Sequence, residues 1–155
     1  MRLDQDLANF MSSPVMIILG TSNDALQPEI GRAVGALVRL EGDVELVLSA
    51  WQWPGTLSNV RASGRLSATF ARPSDYVSYQ VKGRAVVVPT TEEHRAGAAA
   101  YIEAISAALE ELGLAREVSA PWLVSEDLAA LSLSVESVFV QTPGAKAGQM
   151  LQEGR

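Results

Sequence analysis

Short apolar segments follow one another through this chain with only brief turns between them, and that spacing restricts the fold more than any other feature. Val15–Thr21 is a continuous run rich in β-branched residues, closed by Ser22-Asn23-Asp24. Pro28–Leu40 carries Ile30, Val34, Ala36 and Val38 on one parity, with Arg32 among them, and Glu41-Gly42-Asp43 then turns into Val44–Ser49. Leu66, Ala68 and Phe70 alternate with polar residues, Arg72-Pro73-Ser74-Asp75 turns, and Tyr76–Val88 follows with Gly83 as its expected bend. Each run reads as a strand, and each break is made of turn formers. Connections this short leave no room for a parallel crossover, so the strands are expected to pair antiparallel. Leu131, Leu133 and Val135 begin a last strand; the apolar parity then moves to Val138 and Val140, which predicts a bulge near Glu136.

Helical spacing appears in three places. Leu3, Leu7, Phe10 and Met11 fall on one helical face ahead of Pro14. A short helix is expected over Thr56–Ala62, ended at Gly64. Thr90 with Glu93 has capping-box spacing, and Ala98, Tyr101, Ile102, Ile105, Leu109 and Leu112 carry one face of a long helix stopped at Gly113. His94, Glu110 and Glu111 read as surface residues of that helix. Leu114–Glu126 has no clear period, with Pro121 and Trp122 in a loop, and 141–155 reads as an exposed tail. Antiparallel meanders with flanking helices point to a closed or partly closed barrel. The 155 residues make one domain, 1–155.

Composition removes several classes of function. With no cysteine and a single histidine, His94, thiolate catalysis, zinc–cysteine sites and a histidine metal cluster are not expected. A formal net charge of −6 argues against nucleic acid and against anionic membranes as partners. The early Pro14–Leu19 run is too short to span a bilayer, so the cytoplasm is the expected location.

Four stretches, in order, carry a family resemblance: Pro28-Glu29-Ile30-Gly31-Arg32-Ala33-Val34; Leu46-Val47-Leu48-Ser49 followed by Leu57-Ser58-Asn59-Val60-Arg61; Tyr79-Gln80-Val81-Lys82-Gly83-Arg84-Ala85; and Val138-Phe139-Val140-Gln141-Thr142-Pro143-Gly144. Together they resemble the pyridoxamine 5'-phosphate oxidase family, whose fold is a mostly β, antiparallel split barrel. The resemblance implies a homodimer holding FMN at the subunit interface and hydride-transfer chemistry on a small-molecule substrate. It leaves deazaflavin and haem open as other cofactors. It implies cofactor-binding roles for Arg32, Val34, Ser49, Trp51, Thr56, Asn59, Gln80 and Lys82, with no metal.

The residue types suit those roles. A guanidinium matches phosphate oxygens bidentately, which puts Arg32 first; pairing with Glu29 or Glu45 is its structural alternative. Ser49 and Thr56 offer hydroxyl donors, and a helix starting near Thr56 would aim backbone N–H groups at an anion. Asn59 lies beside that start. Trp51 and Trp53 could stack on a ring or fill a core. Gln80 and Lys82 share a strand face with Ser78. The loop after Ser49 has no basic residue between Arg39 and Arg61, and only Lys146 and Arg155 are basic in the tail. That pattern disfavours pyridoxamine phosphate oxidation itself. It also keeps open a non-catalytic dimeric binding module with weakened or lost flavin binding.

Overall fold

The computed structural model describes residues 1–154; Arg155 lies outside the described residues. Helix α1 (Gln5–Met11) opens the chain, with the Asp4 carboxylate accepting the Asp6 and Leu7 N–H groups at its start. Strands β1 (Met16–Ser22), β2 (Pro28–Ala33), β3 (Gly35–Val38) and β4 (Asp43–Ser49) follow, then helix α2 (Pro54–Ser63). Next come β5 (Arg65–Ala71), β6 (Ser78–Val88) and the long helix α3 (Glu92–Glu111). Helix α4 (Arg116–Ser119) and a 3-10 turn (Ala120–Trp122) lead into β7 (Leu128–Val140) and β8 (Met150–Glu153).

All pairings are antiparallel, in the order β2-β1-β5-β6-β7-β4-β3, with β8 added beside β7. The two ends of that order are the two halves of one stretch of chain. The expected single strand over Pro28–Leu40 breaks at Val34: its first half pairs with β1 and its second with β4. The Val34 N–H already donates to the Val47 carbonyl, 2.7 Å away. One bent stretch therefore closes the sheet around its core. At the bend, Gly35 packs under α3, with its Cβ position in ordinary contact range of the Ala98 backbone, 3.4 Å away.

The barrel interior is apolar. Ile17, Leu19, Leu46, Leu48, Phe70, Leu131 and Leu133 are all buried, each contributing roughly 1.5–3 kcal/mol. Val15, Ile17, Leu19, Val44, Leu46, Val47 and Leu48 are buried within the chain. The bulge falls at Glu136: Lys82 pairs with Ser137 and Gly83 with Val135. Gly83 is required there, because a Cβ would run into the Ser134 carbonyl oxygen.

Several expectations shift. The capping box is Thr91 with His94, one residue later than Thr90 with Glu93. His94 is buried, 3% exposed, not on the surface. Leu112 is exposed beyond the end of α3 and is not part of its buried face. Residues 141–154 of the expected tail are mostly exposed, but Met150–Glu153 pairs with β7 as β8. No helix among the described residues is long and apolar enough to cross a membrane.

Replacing Gly83 by Ala is expected to cost about 1–3 kcal/mol by overpacking against β7. Thermal unfolding should show a fall of several degrees; an unchanged midpoint would mean the bulge relaxes freely.

Candidate functional site

The register places three polar residues, Arg32, Thr69 and Gln80, on one outward-facing row. Arg32 lies opposite Ile18, Ile18 opposite Thr69, Thr69 opposite Gln80, and Gln80 opposite Phe139. The next row runs Ile30, Gly20, Ser67, Lys82 and Ser137. Arg32 and Gln80 are three strand spacings apart, about 14 Å along the curved sheet. Between them lie Ile18 and Thr69, while on the next row Gly20 has no side chain and the Ser67 hydroxyl lies 2.6 Å from where a Cβ there would be. The low strip at Gly20 and Ser67 makes a shallow trough beside a row with a cation at one end and an amide at the other.

Arg32 sits under the segment that precedes β7. Its guanidinium lies 5.3 Å from the Trp122 ring centroid, a cation–π distance. Tyr101 of α3 donates its hydroxyl to the Val15 carbonyl at 2.7 Å. Burial pushes that phenol above its ordinary range, and the nearby Arg32 charge acts in the opposite direction. Among the described residues no carboxylate or carbonyl accepts from Arg32. Neither suggested partner serves: Glu45 is taken by His94 and Arg39, and the Glu29 carboxylate lies against Gly55 in the first turn of α2.

Gln80 donates its amide N–H to the Thr69 hydroxyl at 2.9 Å, which fixes the side chain. The Lys82 ammonium lies 4.6 Å from the Phe139 ring. Trp51 is 62% exposed on the loop after β4, and the adjacent Gln52 amide donates to the Pro121 carbonyl at 2.7 Å. That bond ties the Trp51 loop to the segment carrying Trp122.

The other expected residues lie elsewhere. Val34 is buried beneath Ala98 of α3. Ser49 donates its one hydroxyl proton to the Glu126 carbonyl at 2.7 Å and accepts the Gln52 N–H at 3.2 Å. Thr56 is fully buried, faces Gly31, and its hydroxyl has no hydrogen-bond partner. Helix α2 begins earlier, at Pro54, so Thr56 is not its N-cap. Asn59 donates to the Thr21 hydroxyl at 3.1 Å on the inward face. Trp53 packs against the core. Sequence reasoning missed Trp122, which it left in a loop, and the trough floor of Ile18, Gly20, Ser67 and Thr69. The strand parity placed those floor residues outward; only the cross-strand register lines them up with Arg32.

A separate cleft of about 660 Å³ lies between α1 and β8, lined by Asp4, Asp6, Phe10, Arg72 and Tyr79 among others. Its arginine is held by Asp75 in a two-pronged pair, so it offers no unpaired cation.

No family model and no curated protein matches the sequence. Solved structures do match it in shape. The Group A Streptococcus protein HupZ superposes with a TM-score of 0.59 at 16% identity, covering 94% of this chain and 99% of that one. A Lactobacillus delbrueckii protein provisionally assigned as a pyridoxamine 5'-phosphate oxidase gives 0.56 at 14%, covering 89% and 93%. The fold is the split barrel of the pyridoxamine 5'-phosphate oxidase-like proteins. HutZ, the haem-storage protein of Vibrio cholerae, shares the split barrel at 0.52 and 16%, covering 90% and 95%. At these identities the likeness is one of fold, and the split barrel does not by itself decide what this chain binds.

Because Ser49 ties the β4 end to the loop before β7, Ser49→Ala is expected to lower stability by about 1–2 kcal/mol. Denaturant unfolding checks this; an unchanged midpoint would release the hydroxyl for another role.

Proposed function

We propose that this chain binds FMN across the outer trough and acts as a flavin-dependent oxidoreductase on a small molecule. The observation that supports this most is Arg32. In a chain of net charge −6, Arg39, Arg72, Arg95 and Arg116 pair with carboxylates, and Arg65 and Arg84 each donate to a backbone carbonyl. Arg32 is half-buried and has none of this. A partly desolvated guanidinium without an acceptor carries a cost that a bound oxyanion removes.

The residues present fit the cofactor. Arg32 would take the phosphate, with Trp122 holding the guanidinium plane. Gln80, fixed by Thr69, leaves its carbonyl oxygen free for a ring-edge donor. Gly20 and Ser67 keep the floor low enough for a flat group. Once bound, the flavin supplies the hydride-transfer chemistry, and the chain supplies position and polarity. Haem, which HutZ is described as storing, fits less well through an imidazole. The Nδ1 of His94 accepts the Thr91 N–H at 3.0 Å, and its Nε2 faces Glu45 at 3.1 Å. The chain's one histidine therefore has both ring nitrogens engaged. Exposed Ile30 beside the trough leaves the face open to a second copy of the chain, and the reading takes a homodimer as the working assembly.

A second reading, a binding module with weakened flavin affinity, is favoured by the committed Ser49 hydroxyl and by the Glu29 carboxylate at the α2 start, which leave a doubly charged phosphate at the Arg32 end with Arg32 as its cation and no support from the α2 start. Titration with FMN and with riboflavin separates the two. Arg32→Ala should weaken FMN by about one to two decades while leaving riboflavin unchanged, with Arg32→Lys recovering only part. Equal affinity of the wild-type protein for the two flavins would remove the phosphate site and leave the module. Sedimentation of the same samples should show a dimer; a stable monomer at micromolar concentration would remove the interface.

A further inference from the structure

A second group of cations lies on the same outer face, one row beyond the trough. Arg65 of β5 and Arg84 of β6 are direct cross-strand partners, and Lys82 precedes Arg84 by two residues on the same face. Like charges placed opposite each other across an antiparallel pair destabilise it. Among the described residues none of the three forms an ion pair with a carboxylate. Each arginine is anchored by one donor only, Arg65 to the Asn23 carbonyl at 3.4 Å and Arg84 to the Ser63 carbonyl at 3.0 Å. A guanidinium has five donors, so most remain available. All three side chains line a cleft of about 480 Å³, which also includes Gly20, Ser67 and Ile30 from the trough and the carboxylates Glu29 and Glu136. The cleft and the trough thus share a floor.

We propose that Arg65 and Arg84, with Lys82 beside them, form an oxyanion subsite for the carboxylate or phosphate of an acidic small-molecule substrate, whose remaining part lies over the trough. The subsite explains why two arginines are kept face to face in an acidic protein: a bound oxyanion turns their repulsion into a shared attraction. Its location, at the Gln80–Lys82 end and away from Arg32, separates it from the phosphate site of the preceding proposal. The substrate assignment rests on that proposal; the oxyanion subsite itself does not.

Pyrophosphate is the probe, with binding followed by calorimetry on the wild-type chain, Arg32→Ala and the double variant Arg65→Gln/Arg84→Gln. The expected result is binding in the first two and at least a tenfold loss in the double variant, whose FMN affinity stays at the wild-type value. The double variant should melt no lower than wild type, since it removes a repulsion; if it fails to fold, single Arg65→Gln carries the same comparison with a smaller loss. Absence of pyrophosphate binding to the wild type, or loss in Arg32→Ala alone, overturns the subsite. Loss of FMN affinity together with pyrophosphate in the double variant overturns the substrate assignment and gives the subsite to the cofactor. If the wild type takes pyrophosphate through Arg65 and Arg84 but never binds FMN, the subsite stands and the flavin reading falls.

Discussion

The bend at Val34 is the constraint on which the rest of this molecule depends. A straight Pro28–Val38 strand would pair with β1 or with β4, leaving the other edge open. Bent, it hands its hydrogen bonds from one to the other and closes the sheet around Leu19, Leu46, Phe70 and Leu133. The Val34 N–H bond to Val47 secures the turning point, and Ala98 of α3 packs over Gly35. Closure also fixes which residues face outward. Arg32 precedes the bend by two residues, so the same feature that seals the core directs a cation to the outside, under Trp122.

Charge then sorts the surface. Arg39, Arg72, Arg95 and Arg116 pair with nearby carboxylates, whereas Arg32, Arg65 and Arg84, which have no such pair among the described residues, lie on the outer face of β2, β5 and β6. The arrangement differs from a helix-end anion site. At α2 the first turn already has the Glu29 carboxylate beside Gly55, and Thr56 faces inward to Gly31. Binding chemistry is thereby moved from the helix start to the open sheet.

Much of this could be read from the chain. Alternation placed the strands, Gly64 and Gly113 marked helix ends, and the change of apolar parity around Glu136 located the bulge opposite Gly83. At the Val34 break the only trace was Gly31 and Gly35, which suggest a bulge or close backbone approach, because Ile30, Arg32 and Val34 keep one parity across it. His94 looked exposed beside Glu92 and Glu93; its burial comes from Glu45, a strand residue far away in sequence, through a 3.1 Å contact. The site residues were half legible for the same reason. Arg32, Gln80 and Lys82 could be chosen by type and face, but Ser49, Thr56 and Asn59 have local partners that only tertiary structure supplies: the Glu126 carbonyl, Gly31 and Thr21.

The trough is tested most directly by a nuclear magnetic resonance titration with FMN that follows backbone amides together with the Arg32 and Gln80 side-chain N–H groups. The predicted result is a set of shifts confined to the row of Ile18, Arg32, Thr69 and Gln80 and to the indole of Trp122, with Thr56 and Asn59 unmoved. Shifts centred on Ser49–Asn59 with Arg32 silent, or no shifts at all, would contradict it.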